Sequence, residues 1–262
     1  MFSKIQGAGA FVVAATIATQ VQAQATAVQW RVEDGGNGHW YRVIVVAGDG
    51  YPRIPWNEAQ ARSVAMGGYL ASITSLEENA FLFQSLSPNM FNQWSCWIGG
   101  YRGTGGDWRW ISGEPLSCDM MPGCPFCCGE DRLYTGQVGS GPYLVIDDHD
   151  NGFQGGKNEF LVEWSNDCNS DGIVDYGQIL DGTYLDVNAN NIPDCCEQSI
   201  PCTDCYRYDL NPTGTVDGSD LGALLAFWGP VSPAFPRADI TRDGIVNGED
   251  LGLLLANWGP CR

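Results

Sequence analysis

Oxygen-bearing side chains recur with one fixed spacing in the last third of the 262-residue chain. Four windows, here named the first to fourth acidic loops, carry such a side chain at positions 1, 3, 5, 9 and 12. Position 6 is Gly172, Asn191, Gly214 or Gly244, and these residue types tolerate a positive φ. The loops are Asp167, Asn169, Asp171, Asp175 and Gln178; Asp186, Asn188, Asn190, Asp194 and Glu197; Asp209, Asn211, Thr213, Asp217 and Asp220; and Asp239, Thr241, Asp243, Asn247 and Asp250.

This spacing suits the coordination of Ca²⁺. Calcium takes about six to eight oxygen ligands, and a tightly turning loop presents alternate side chains to its interior. A solvated acidic linker is the alternative interpretation, but four matches within 84 residues are hard to explain by chance. The sequence therefore predicts four Ca²⁺ sites, with Ca²⁺ as the cofactor.

The third and fourth acidic loops belong to a duplicated unit. They begin 30 residues apart and lead into the near-copies DLGALLAFWGP, from Asp220, and DLGLLLANWGP, from Asp250. Each copy predicts a loop followed by a short helix that stops at Gly-Pro. Residues 206–262 resemble a dockerin domain, an all-α fold of paired EF-hand-like loop-helix units. The resemblance implies calcium-dependent folding and docking to a cohesin-type protein; a purely structural duplication is the alternative.

The first and second acidic loops begin only 19 residues apart, which leaves no room for a full helix between them. Their residue pattern is similar to thrombospondin type-3 calcium repeats, which implies a stiff spacer over residues 166–199. Cysteines accompany this region. Cys168 could pair with Cys195 or Cys196, and Cys202 or Cys205 could pair with Cys261.

Residues 30–165 are rich in aromatic residues and glycine instead. Hydrophobic patterns predict helices at 56–66 and 76–86, followed by strands near 94–100, 107–111, 143–146 and 159–164. Helices followed by a run of strands favour an α+β fold. The motifs GHWY, WNEA, GGYLASI, WIGG and FLVE begin at Gly38, Trp56, Gly67, Trp97 and Phe160 and resemble a C-type lectin-like domain.

The resemblance implies a ligand site between residues 113 and 155. In calcium-dependent members, a Glu-Pro-Asn-like triplet, a later acid and an Asn-Asp pair hold one ion that also grips a sugar. Leu116 stands at the third triplet position and cannot bind metal, so a protein ligand, or a sugar held by aromatic rings alone, stays open. The candidate residues are Glu114, Glu130 (or Asp131), the pair Asp147-Asp148 (or Asp150-Asn151), and the rings of Trp108 and Trp110.

Composition and the N-terminus limit the remaining functions. A formal charge of −18 disfavours nucleic-acid binding, and two histidines make His-based catalytic or zinc centres hard to build. Residues 1–23 predict a signal peptide whose apolar stretch is too short to span a membrane. Eleven cysteines suit an oxidising compartment, where disulfides are preferred over a zinc cluster, and the odd count leaves at least one thiol over.

Together these features predict a secreted or cell-surface protein that is not an enzyme. It would bind a carbohydrate or glycoprotein and dock to a cohesin-type partner, with calcium required. His149, flanked by acids, is a candidate base, but a solvated loop histidine is the preferred interpretation. The alternatives are an accessory subunit of a polysaccharide-degrading complex and a structural surface protein with an inactive lectin fold.

Overall fold

The computed structural model describes residues 26–46, 53–90, 96–114, 116, 130–135, 143–149, 156–200, 202–203 and 205–261, without the side chains of residues 87–90 and 148. The predicted signal peptide at 1–23, the cysteine-rich insert at 118–128 and residues 150 and 151 lie outside these ranges. Across the described part of the chain, no helix combines the length and the apolar character needed to cross a membrane.

The first half of the protein is an eight-stranded sheet with two helices. The elements are β1 (Val28–Gln29), β2 (Trp40–Val45), α1 (Trp56–Ala65), β3 (Tyr69–Leu70), α2 (Leu76–Met90), β4 (Cys96–Arg102), β5 (Trp108–Trp110), β6 (Arg132–Thr135), β7 (Ile146–His149) and β8 (Glu159–Trp164). The strand order is β1-β2-β8-β4-β6-β7, with β3 beside β8 and β5 beside β4. Strands β4 and β8 pair in parallel, and the other pairs are antiparallel.

Strand β8 lies at the centre and is buried along its whole length. Its residues alternate between two apolar clusters, since Leu161 packs with α2 on one face while Phe160 and Val162 pack with α1 on the other. A strand covered on both faces reads as a continuous apolar run, which explains the FLVE motif. This arrangement confirms the predicted α+β fold.

Element boundaries differ modestly from the sequence predictions. The two predicted helices are present, and the second extends four residues beyond 86. The predicted strand at 143–146 instead forms β7, Ile146–His149, and β6 was not predicted. Because β6 alternates only two buried residues, Leu133 and Thr135, its pattern is too short to read from sequence.

The predicted spacer packs directly against the lectin-like core. Tyr176 lies in the same apolar cluster as Trp164, and the two rings stack with centroids 4.1 Å apart and planes 10° apart. A second contact comes from the second acidic loop, where the Asn191 side-chain amide donates to the Met66 carbonyl at 3.0 Å. The predicted boundary at residue 165 therefore marks a change in composition, but the segments on its two sides pack against each other.

The C-terminal unit contains two loop-helix repeats that exchange strands. Its elements, after α3 (Asp175–Leu180) and α4 (Asp194–Glu197), are β9 (Thr215–Val216), α5 (Gly218–Ala226), β10 (Gly229–Pro230), β11 (Ile245–Val246), α6 (Gly248–Ala256) and β12 (Gly259–Pro260). The Gly-Pro strand after each helix pairs with the loop of the other repeat, β10 with β11 and β12 with β9. The all-α prediction for residues 206–262 was wrong in omitting these strands.

Three disulfides cross-link the chain from Cys168 onward, and two arginines join the C-terminal unit to the spacer. The disulfides join Cys168 to Cys196, Cys195 to Cys202 and Cys205 to Cys261, so two of the three match pairings left open by the sequence. Arg207, Arg237 and Arg242 donate to backbone carbonyls, among them Gly182 and Tyr184 of the spacer. Among the described cysteines, Cys96 is free and buried.

Candidate functional site

All four acidic loops share one backbone turn. The carboxylate at position 1 accepts hydrogen bonds from the backbone N–H groups of positions 5 and 6; in the third loop, Asp209 accepts from Thr213 at 3.1 Å and Gly214 at 2.6 Å. The equivalent acceptors are Asp167, Asp186 and Asp239. Position 6 has a positive φ in every loop, between 63° and 92°, as predicted.

Position 12 closes the third and fourth loops. Asp220 is fully buried, and its two oxygens accept from the N–H groups of Asn211 at 3.1 Å and Asp217 at 2.8 Å. Asp250 makes the equivalent contacts with Thr241 and Asn247. The second contact of each pair forms a capping box with the helix that follows, so the loop and the helix fix each other.

Oxygen atoms converge inside the third loop. One atom of the Asn211 side-chain amide lies 3.0 Å from Asp209 Oδ1, 3.0 Å from Asp220 Oδ1 and 3.2 Å from Thr213 Oγ1. If the amide nitrogen occupies that place, it donates to all three oxygens. If the amide oxygen occupies it, four oxygens face one another, and a cation between them is needed to offset their repulsion. This donor set fits a calcium ion.

In the first and second loops, side-chain amide groups donate hydrogen bonds to the carboxylates. Gln178 donates to Asp171 at 2.7 Å, and Asn190 donates to Glu197 at 2.7 Å. In the first loop, burial raises the pKa of Asp175 to about 6, and the charges of Asp167 and Asp171 add to the rise. An ion would have to turn these amides so that their oxygens face inward. Within the described residues, no three carboxylates of one loop bring oxygens within 4.8 Å of one another, so amide, hydroxyl and carbonyl oxygens must complete each site.

The ligand residues implied by the lectin resemblance fall into two separate groups. One group surrounds Lys157, whose ammonium lies 3.7 Å from the centre of the Tyr134 ring. The Tyr134 hydroxyl donates to Asp147 at 3.1 Å, and the charges of Asp147 and Glu130 both act on Lys157. Burial and the neighbouring Arg53 nevertheless lower the pKa of Lys157 to about 8.

Glu114 belongs to the other group, beside His39. The two residues line one cleft, and Glu114 acts electrostatically on the imidazole. Glu114 thus neighbours His39, whereas Glu130 and Asp147 neighbour Lys157, and the single-ion site implied by the resemblance stays a prediction. Leu116 packs against the apolar core, so the third triplet position is also turned away from any ion.

The remaining candidates are placed as follows. Trp110 is 1% exposed and cannot stack on a sugar, so its predicted role as a platform was wrong. Trp108 is half-buried and packs on the same core. Asp148 lies in β7, but its side chain is outside the described part. His149 ends β7 with its ring 6.1 Å from that of Tyr134, so it lies on a strand and is not a solvated loop residue.

Sequence reasoning missed the polar network around His39. Its Nδ1 lies 2.6 Å from Glu163 Oε1, and the buried Glu163 also accepts from the Ser72 N–H at 2.8 Å. Burial of the imidazole lowers the pKa of His39, but the hydrogen bond and charge of Glu163 outweigh it, so the net pKa is raised. Nearby, burial raises the pKa of Glu78 to about 7. The one signal in the sequence was the presence of His39 in the GHWY motif and of Glu163 in the FLVE motif, both otherwise typical of the core.

Comparisons with known proteins agree with this architecture. Residues 53–125 match the family model of the lectin C-type domain. The C-type lectin domain family 4 member F of Mus musculus is 44% identical over 64 residues, 24% of this chain and 11% of that protein. A perlucin-like protein of Mytilus galloprovincialis is 33% identical over 58 residues, 22% of this chain and 37% of that protein. The chain thus spans well under half the length of these relatives.

The matches to solved structures cover nearly the whole of each solved chain. Human lithostathine superposes with a TM-score of 0.42 at 19% identity, covering 58% of this chain and 99% of that one. The C-type lectin domain of murine dendritic cell inhibitory receptor 2, solved in complex with N-glycan, gives 0.38 at 20% identity, covering 49% and 92%. On the family match and the α+β architecture together, the chain contains a C-type lectin domain.

Proposed function

We propose that this protein is a non-catalytic recognition protein that binds carbohydrate through its C-type lectin domain. The match of residues 53–125 to the lectin C-type family carries this proposal. The test is a glycan array probed with the full chain in the presence of calcium. Binding of a defined set of glycans is expected. An array without signal, from protein shown to be folded by near-UV circular dichroism, would contradict the proposal.

Calcium would bind the four acidic loops in this proposal. The shared turn and the Asn211 amide among three oxygens support it. The ion would neutralise clustered carboxylates, and the position 12 aspartates would transmit its effect to helices α5 and α6 through their capping boxes. Calorimetry on the full chain is expected to give about four ions per chain. No heat, with identical helicity in EGTA and excess calcium, would contradict it.

Docking to a cohesin-type partner through residues 206–262 is a further part of the proposal. Both repeats expose the same apolar side chains to about half of their surface: Leu225, Trp228, Leu255 and Trp258. Gly222 and Gly252 lie within the helices, and a methyl group at either would meet nothing. Such glycines cost about 1 kcal/mol each relative to alanine, so close approach by a partner is a reason to keep them.

The docking test uses an immobilised cohesin-bearing protein. The full chain is expected to be captured in calcium, and L225D/L255D is expected to lose capture. V64D, which changes a similarly exposed apolar residue on α1, outside the unit and outside the acidic loops, serves as the matched control. Capture that is equal for all three proteins, or absent for the wild type, would favour a structural duplication without this partner.

Export is the last part of the proposal. Three disulfides are stable in an oxidising compartment and rare in the cytosol. The predicted signal at residues 1–23 is consistent with this. Mass spectrometry of the protein from culture medium is expected to show a new N-terminus near residue 24, while full-length protein retained inside cells would contradict export.

A further inference from the structure

The lectin domain carries a polar cleft where it meets the spacer. This cleft has a volume of about 460 Å³, enough for a sugar ring, and is bordered by His39, Gln60, Tyr69, Ser112, Glu114 and Asn166. The lining is mainly hydroxyl, amide and imidazole, with Ile111 as an apolar element. A sugar presents hydroxyl groups around its edge and a partly apolar face, so this mixture of groups suits it.

A second layer of hydrogen bonds holds the lining groups in place. Glu163 holds Nδ1 of His39, which leaves Nε2 on the opposite side of the ring for a ligand. The Tyr69 hydroxyl contacts the Ser165 hydroxyl at 2.8 Å, which fixes its position at the border of the cleft. The Ser112 hydroxyl donates to Glu114 at 2.8 Å. Polar groups fixed in this way bind without the cost of ordering them first.

The competing position around Glu130 and Asp147 lies near a positive charge of the chain itself. The Lys157 ammonium lies over the Tyr134 ring, and both carboxylates act on it. A calcium ion beside them would be repelled by this ammonium group. Glu114, the acid that the metal would also need, borders the His39 cleft instead.

We propose that the lectin domain holds a neutral saccharide in the His39–Glu114 cleft, through direct hydrogen bonds and without a metal ion. This inference rests on the proposed function of carbohydrate recognition. It differs from the calcium-bridged site implied by the family resemblance both in the place of binding and in its chemistry. Glu114 and Tyr69 act as direct ligands of sugar hydroxyls. Glu163 is a positioning residue that acts through His39.

The experiment measures binding of the full chain to immobilised neutral glycans ending in mannose, galactose or N-acetylglucosamine. Calcium is constant in every arm, so that the acidic loops stay in one state. E114Q and Y69F are compared with E130Q/D147N, which removes the charges at the competing position. E58Q is the matched control, because Glu58 is also an exposed acid and pairs with Arg62 on α1.

E114Q and Y69F are each expected to weaken binding by about tenfold, while E130Q/D147N and E58Q bind as the wild type does. Loss of binding in E130Q/D147N, or wild-type affinity in both E114Q and Y69F, would overturn the cleft and leave carbohydrate recognition standing. No glycan bound by the wild type would overturn both. Thermal unfolding of each variant checks its folding, and the exposed position of Glu114 keeps E114Q informative if Y69F is destabilised.

Discussion

Tyr176 tests whether the predicted spacer is part of the lectin fold. Its side chain is 3% exposed, stacks on Trp164 and meets the edge of Trp40 with ring centroids 5.8 Å apart. Truncating a buried aromatic residue to alanine costs about 3–5 kcal/mol, of which each aromatic pair accounts for about 0.5–1.5 kcal/mol. We therefore expect Tyr176→Ala to lower the free energy of unfolding of the lectin domain by about 3 kcal/mol or more.

The assay is urea unfolding in saturating calcium without reductant, followed by tryptophan fluorescence, with hydrogen exchange of β8 as a second readout. Trp164 and its neighbours in β8 should lose protection in Tyr176→Ala. The control is Ile173→Ala in the same segment, where the side chain is 52% exposed and a change within about 0.5 kcal/mol is expected. If Tyr176→Ala leaves the lectin transition within about 1 kcal/mol of wild type, the spacer is only an appendage and the reasoning is refuted.

Three further predictions concern backbone packing, calcium and pH. Gly67→Ala should destabilise the protein more than Gly35→Ala in denaturant titrations: both residues have positive φ, but a methyl group at Gly67 would lie 2.8 Å from the carbonyl oxygens of Asn190 and Asn191, whereas at Gly35 it meets nothing. Equal losses would refute the contact. Asp209→Asn should lower the calcium stoichiometry measured by calorimetry by one ion, and an unchanged value would exclude the third loop as a site. Burial and the charge of Glu163 raise the pKa of Glu78 to about 7, so folding favours its protonated form. The free energy of unfolding should therefore fall as the pH rises from about 4.3, the ordinary glutamate pKa, to about 7. The raised pKa of His39 acts in the same direction above pH 6.5. Glu78→Gln should flatten this profile in thermal unfolding at several pH values, and the exposed Glu77→Gln should not; identical profiles would contradict the assignment.

Features set by neighbouring residues could be predicted from the sequence. The acidic loops are an example, because the positive φ at Gly214 and the contacts of Asp209 arise within a few residues. The central strand β8 is another, since its continuous apolar run requires cover on both faces.

Features that depend on the path of the chain could not be predicted. Trp108 and Trp110 alternate along β5, and nothing in their spacing says that Trp110 is the one turned inward. The placement of Glu114 beside His39 depends on how distant segments meet, as does the approach of Lys157 to Tyr134. A family pattern carries such placements only if the intervening chain keeps the family's length, and the cysteine-rich insert at 118–128 changes that length.

The exchange of strands in the C-terminal unit makes each repeat incomplete without the other. Val246 of the second repeat pairs with Gly229 of the first, and Val216 of the first pairs with Gly259 of the second. The Cys205–Cys261 bridge also links the beginning of one repeat to the end of the other. A protease that cuts the exposed connection near Pro233 would therefore leave two fragments that stay joined by strand pairing and by the disulfide. Loss of one repeat would leave the strands of the other repeat without their partners.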